Sequence, residues 1–261
     1  MNLDLMGKNA LVCGSSKGIG KATAIELAEL GANVTLVARS ANVMAELIHE
    51  LSRTEGQQHD FLQADFSDSA DLKKKISGLT IQKTIHILIN NTGGPPAGPI
   101  LTAEADEFVK AFHNHLICNH LLVQAVAPGM RKAGYGRIIN IISTSVKSPL
   151  DNLGVSNTIR AAVANWSKTL ANELGPSGIT VNNLLPGYTN TGRLGSLISN
   201  WAKKKDMTEE AIQEQMKNNV PLRRFGAPRE IGSVIAFLAS PAAGYVSGTN
   251  ITVDGGRTRM L

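Results

Sequence analysis

Short apolar runs alternate with longer amphipathic stretches along almost the whole chain, with few residues between them. Parallel strands cannot be joined by a tight turn; each pair needs a crossover, and a crossover helix packs back onto the sheet. The alternation therefore predicts an α/β fold in which a parallel sheet is covered by helices on both faces. The apolar runs predict strands over 9–13, 34–38, 61–64, 85–90, 137–142, 180–184 and 250–253. The amphipathic stretches predict helices over 19–30, 43–53, 71–77, 105–132, 156–174 and 228–239, the first closed by Gly31 and the last opened by Pro228. One segment breaks the rhythm. Residues 188–220 read as two polar helices set between Pro186–Gly187 and Pro221, an insertion expected to act as a substrate lid. With no internal repeat and no linker, residues 1–261 read as a single three-layer domain with a doubly wound sheet.

Bulk properties narrow the function classes. Hydrophobic residues at 43% and charged residues at 18% supply the core of one globular unit. No run of about 18 apolar residues occurs, which argues against a membrane span, and residues 1–7 are too short and polar for a secretory leader. The two cysteines, Cys13 and Cys118, have no paired spacing, so a disulfide framework is not indicated and a reducing, cytoplasmic setting is expected. The net charge is +5, yet the basic residues are scattered apart from the triplets at 73–75 and 203–205, each with acids beside it. No nucleic-acid partner is expected, and a polyanionic small molecule suits the excess charge equally well.

The first strand runs into Gly14–Ser15–Ser16–Lys17–Gly18–Ile19–Gly20 and then a helix. Glycines at such a turn let backbone amides approach a diphosphate at the helix N-terminus. Asn90–Asn91–Thr92–Gly93–Gly94 follows the fourth strand, Pro186–Gly187 the sixth, and Val253–Asp254–Gly255–Gly256 the last. These landmarks, in this order, resemble the short-chain dehydrogenase/reductase family over 7–256. The resemblance implies a Rossmann-type sheet with Gly14, Ser16, Lys17, Gly18, Ile19 and Gly20 around the cofactor diphosphate. It further implies Asp65 and Phe66 beside the adenine, Asn91 and Gly93 on the adenosine side, and Pro186, Gly187 and Thr189 completing the cofactor site. Plainer readings are that Asp65 caps the turn after it and that Asn91 holds neighbouring strands together. After the second strand, Val37–Ala38–Arg39–Ser40 offers no acid for ribose hydroxyls but a guanidinium suited to a 2′-phosphate, with Lys17 nearby. NADP(H) is expected in preference to NAD(H).

Members of this family typically use a serine, a tyrosine, a lysine four residues later and an asparagine on the long helix. Here Ser143 stands at the serine position, Ser156 at the tyrosine position, Arg160 at the lysine position and His115 at the asparagine position, next to Asn114. A serine hydroxyl is a much weaker acid than a tyrosine, so the usual proton transfer is impaired. Arg160 keeps its charge and can still bind ribose hydroxyls. His115, with the most suitable intrinsic pKa, and Tyr188, at the base of the lid, are the alternative proton donors. His113, His115, Cys118 and His120 are competent metal ligands, but helical spacing brings only 115 and 118 together within one turn, and no metal is expected.

The reading is an NADP(H)-dependent oxidoreductase acting on a carbonyl or alcohol with an atypical acid–base group. A nucleotide-binding regulator or scaffold without redox activity is the alternative, and a non-redox lyase or isomerase a weaker one. Family resemblance implies a homotetramer or dimer formed through the two long helices and the last strand. Leu116, Leu121 and Val123 on one helix, and Ala161, Ala162 and Trp166 on the other, suit that contact and suit a core equally well. Leu194, Leu197, Ile198 and Trp201 suggest an apolar wall facing the substrate.

Overall fold

The computed structural model describes residues 1–260. The chain runs β1 (Asn9–Cys13), α1 (Gly18–Glu29), β2 (Asn33–Ala38), α2 (Ala41–Glu50), β3 (Asp60–Gln63), α3 (Ser69–Gln82) and β4 (Ile87–Asn90). It continues through α4 (Ala105–Phe112), α5 (Cys118–Ala133), β5 (Gly136–Ile141), α6 (Gly154–Leu174) and β6 (Ile179–Pro186). The insertion carries α7 (Gly192–Lys205) and α8 (Glu209–Asn218), and α9 (Pro228–Ala239) and β7 (Asn250–Val253) close the fold. All strands are parallel, in the order β3-β2-β1-β4-β5-β6-β7. The chain starts mid-sheet, winds outward through β2 and β3, then returns to β4 and winds the other way. That reversal opens a crevice at the carboxyl ends of β1 and β4, where ligands of doubly wound folds bind.

Strand alternation explains why the runs are apolar at every position. Ala10 and Val12 of β1 enter the core under α1, α2 and α9, while Leu11 and Cys13 enter the core under α3, α5 and α6. Two expectations needed adjustment. The helix expected over 71–77 extends to Ser69–Gln82, because Asp68 caps it by accepting from Asp71 N and Leu72, Ile76 and Leu79 keep one apolar stripe buried. The helix expected over 105–132 is interrupted by a π turn at His113–Ile117. A widened turn rotates the residues that follow it relative to those before, so 3.6-residue spacing no longer predicts which side chains share a face. The four ligand-competent residues there diverge: His113 meets Ser69, His115 meets Thr92, Cys118 donates to Phe66 O, and His120 stacks edge-on to Trp166. Val123, which in sequence suits a subunit contact and a core equally well, lies in the core beneath α5. Among the described residues, no helix is long and apolar enough to cross a membrane.

A polar row crosses the sheet. Asn90, Asn140, Asn183 and Asn250 are register partners on β4, β5, β6 and β7. Asn90 Nδ2 donates to Asn140 Oδ1 (2.7 Å), Asn140 Nδ2 to Asn183 Oδ1 (3.1 Å) and Asn183 Nδ2 to Asn250 Oδ1 (2.8 Å). Ser167 of α6 braces the middle, accepting from Asn140 Nδ2 and donating to Asn183 Oδ1, both at 2.7 Å. Asn140→Ala takes partners from Asn90, Asn183 and Ser167 at once. It is expected to cost about 2–4 kcal/mol in urea unfolding, and a loss under about 1 kcal/mol would mean the amides do not hold the register.

Candidate active site

The glycine turn leaves β1 and enters α1 at the crevice. Gly14 has φ +59°, and a Cβ there would lie 2.6 Å from Asn91 O; a Cβ on Gly20 would run into Gly14 O. These glycines let the start of α1, the end of β1 and the residue after β4 close on one another. Asn91 Nδ2 fastens that contact by donating to Cys13 O and Gly14 O, each at 3.2 Å, so its visible role is to hold strands. α1 follows Lys17, its N-cap residue, with no side-chain cap and no acid in its first turn, which leaves amide donors without side-chain partners at its positive end. Ser16 is half-buried in the turn, and Ile19 packs on the core below it. Lys17 and Arg39 are exposed, and neither forms an ion pair among the described residues.

At the edge of this half, Asp65 accepts from Ser67 N (3.0 Å), and that bond holds its carboxyl below the usual range, with a smaller contribution from the Arg39 charge. The turn-capping reading of Asp65 is thus realised in the geometry. Phe66 packs against the core. Gly93 has open space where a Cβ would stand. Pro186 ends β6, and Gly187 N donates to Val253 O at 2.9 Å. Thr189 is buried and donates to Gly187 O (3.2 Å), so it turns inward. Thr191, which sequence reasoning passed over, instead packs its methyl 3.3 Å from a Cβ position on Gly18 while its hydroxyl caps α7. Its signal in the sequence is its place as the last hydroxyl residue before the α7 helix.

The opposite wall is built from the end of β5 and the first turns of α6. Ser143, half-buried, accepts from Ser145 N (3.1 Å) and so holds its oxygen in a fixed place. Ser156 is buried, and Arg160, one turn on, donates from Nε to its hydroxyl (3.4 Å) and from Nη1 to Ile141 O (3.1 Å). Burial, then the charge of Arg193, brings the Arg160 pKa down to about 10, which still leaves it a cation at neutral pH. His115 is buried with Nδ1 2.5 Å from Thr92 Oγ1. Burial first, and the Arg160 charge second, push its pKa down to about 3 against the opposing hydrogen bond to the Gly93 backbone. Desolvation thus outweighs intrinsic basicity and favours the neutral imidazole at physiological pH. Tyr188, the other alternative, packs at the base of the insertion. Its ring lies edge-on to Phe225 (centroids 6.2 Å apart) and under the Arg257 guanidinium (4.3 Å), packed into the core of the insertion.

That small core corrects a further expectation. Leu194 and Ile198 of α7 are buried against Ile212 and Met216 of α8, with Trp201 beside them. An inserted helix pair must bury an apolar stripe somewhere, and here the two helices bury it against each other and the inner wall of the insertion rather than displaying it to the crevice. Among the described residues, no three His, Cys, Asp or Glu side chains gather as metal ligands.

Comparison with known proteins places this geometry. A family model described as enoyl-(acyl carrier protein) reductase matches residues 14–258. The 3-oxoacyl-(acyl-carrier-protein) reductase FabG of Pseudomonas aeruginosa is 36% identical, over 97% of this chain and 98% of its own. L-sorbose reductase from Gluconobacter frateurii, solved with NADPH and L-sorbose, superimposes with a TM-score of 0.93 at 28% identity and full coverage of both chains. A structure described as a short chain dehydrogenase/reductase family protein is 30% identical with a TM-score of 0.81, covering 98% of this chain and 99% of its own. On its fold, its crevice and these relatives, the chain belongs to the short-chain dehydrogenase/reductase family.

Proposed function

We propose that this protein is an NADP(H)-dependent oxidoreductase that interconverts a carbonyl and an alcohol, with Ser143 at the family's serine position and Ser156 and Arg160 in place of the usual tyrosine and lysine. The observation that carries the reading is the fixed cation at the end of β5: Arg160 is bonded to Ser156 Oγ and Ile141 O, and Ser143 lies two residues beyond that carbonyl. The sorbose reductase structure was solved with NADPH, and the curated relatives are named for redox reactions, which favours this reading over a regulator without chemistry.

The cofactor half fits a phosphorylated dinucleotide. The uncapped start of α1, with Gly14, Ser16, Lys17, Gly18, Ile19 and Gly20, presents amides to a diphosphate, and the open space at Gly93 leaves room beside it. Arg39 and Lys17 take the 2′-phosphate, Asp65 and Phe66 border the adenine, and Asn91 keeps the floor closed. Pro186, Gly187 and Thr189, joined by Thr191, shape the nicotinamide end. When bound, the nicotinamide supplies or accepts the hydride. In reduction, charge develops on the carbonyl oxygen, and the Arg160 cation with the Ser143 hydroxyl stabilises it. Ser156 passes its hydroxyl proton to that oxygen and is reprotonated from water, which completes the alcohol. The charge of Arg160 favours the serine alkoxide formed in passing and so eases a transfer for which serine alone is poorly matched.

The helix pair α7–α8 serves as the lid. The exposed apolar residues Ile100, Leu101, Val109 and Phe112 around α4 support a homo-oligomer, and both cysteines, free and buried, suit a reducing cytoplasm. Light scattering on the purified protein should give a dimer or tetramer mass; a monomer at micromolar concentration would remove that part of the reading.

Titration should show NADPH bound more tightly than NADH, and Arg39→Ala should weaken NADPH by about tenfold while sparing NADH. Equal affinities in the natural protein would overturn the phosphate assignment. With an activated ketone, Arg160→Ala should lower kcat by about a hundredfold or more. His115, neutral above about pH 3, should contribute no inflection to kcat/KM between pH 5 and 8. An inflection near pH 6.5 that vanishes in His115→Asn would restore it as the acid–base group.

A further inference from the structure

Arg160 and Arg193 converge on one point beside Gly94. A Cβ placed on Gly94 would lie 3.5 Å from Nη2 of Arg160 and 3.7 Å from Nη2 of Arg193. Arg193 sits in the first turn of α7 and reaches back across the crevice, donating from Nη2 to Pro95 O at 2.8 Å. Arg160 comes from the opposite wall, and its Nη2 makes no hydrogen bond among the described residues. Neither guanidinium has a carboxylate within ion-pair distance among those residues. The mutual repulsion is strong enough to contribute to the lowered pKa of Arg160.

Two like charges drawn together, that of Arg160 withdrawn from water and that of Arg193 exposed, with no acid between them, are unfavourable until an anion enters. Their unused N–H groups point to an oxyanion that can accept from both, as a carboxylate does. The bare Cα of Gly94 leaves the gap in which it would stand. A phosphate of the cofactor carries similar chemistry. The pair, however, is anchored on the segment after β4 and the end of β5, beside Ser156, whereas the glycine turn has its own cation in Lys17.

We propose that Arg160 and Arg193 together bind a carboxylate of the substrate, next to the carbonyl that is reduced, so that the enzyme acts on oxo acids. This rests on the reading of the crevice as a redox site. Because Arg193 belongs to α7, the carboxylate also bridges the insertion to the α6 wall and draws it closed.

The probes are pyruvate and methyl pyruvate, the same activated carbonyl with and without the charge. NADPH binding is measured first by its fluorescence, and each probe is then titrated into the NADPH-loaded protein and followed for turnover. Pyruvate should perturb the bound NADPH and be preferred to the ester by about tenfold or more, and Arg193→Gln should erase that preference while leaving NADPH affinity unchanged. No response to pyruvate, or an equal response to acid and ester, overturns the proposal. So does an Arg193→Gln protein that binds NADPH about tenfold more weakly with its acid–ester ratio intact, since the pair would then serve a cofactor phosphate. Failure of the natural protein to bind NADPH at all is read before any probe is added, and it removes the redox reading itself.

Discussion

The row of asparagine amides across β4, β5, β6 and β7 sets the register on which the crevice depends. Apolar neighbours tolerate a slip of two residues, because side chains of the same face meet again. Buried amides do not, since each is satisfied only by the one directly across. The row is directional, every amide donating toward β7, which leaves Asn90 Oδ1 as a spare acceptor at its start. With these strands locked in register, Asn91, Ser143 and Gly187 leave the carboxyl ends of three neighbouring strands. Arg160 then finds Ile141 O within reach, and the wall facing the glycine turn is fixed by the same bonds that fix the sheet.

Charge in the crevice is one-sided. Lys17, Arg39, Arg160 and Arg193 come from four separate elements, and no acid answers them at ion-pair distance among the described residues. Elsewhere on the surface Arg224 pairs with Glu230, and Arg229 with Glu26 and Glu29. A buried imidazole beside such a field stays neutral, which is why His115 serves the site as a hydrogen-bonding wall with Thr92.

Strands and helices were legible in the sequence because burial on both faces writes itself as continuous apolar runs, and amphipathic stripes mark the covering helices. The glycine turn was legible because only glycine fits where Gly14, Gly20 and Asn91 meet. Other features depend on what lies across space. A π turn has no residue signature, so the parting of His115 from Cys118 was hidden. The stripe of Leu194 and Ile198 announced a buried face but not its partner, α8. Thr189 and Thr191 are equally plausible in sequence; which of them meets Gly18 is decided by the path of the chain leaving β6. The intrinsic pKa of histidine says nothing of the burial that overrides it, and the meeting of Arg160 with Arg193 joins residues from two distant elements over a glycine from a third.

The insertion between β6 and α9 begins and ends at one place. Asn190 N donates to Gly226 O (2.8 Å) and Gly226 N to Tyr188 O (2.9 Å), while α7 and α8 bury their apolar faces on each other. A segment whose two ends are already joined transmits little of its internal change to the strands on either side. Residues 192–225 can thus be lengthened, shortened or exchanged as a cassette while the nucleotide-facing half, Thr191 included, stays as it is. In a lineage built on this plan, substrate range is free to drift by replacing one removable piece.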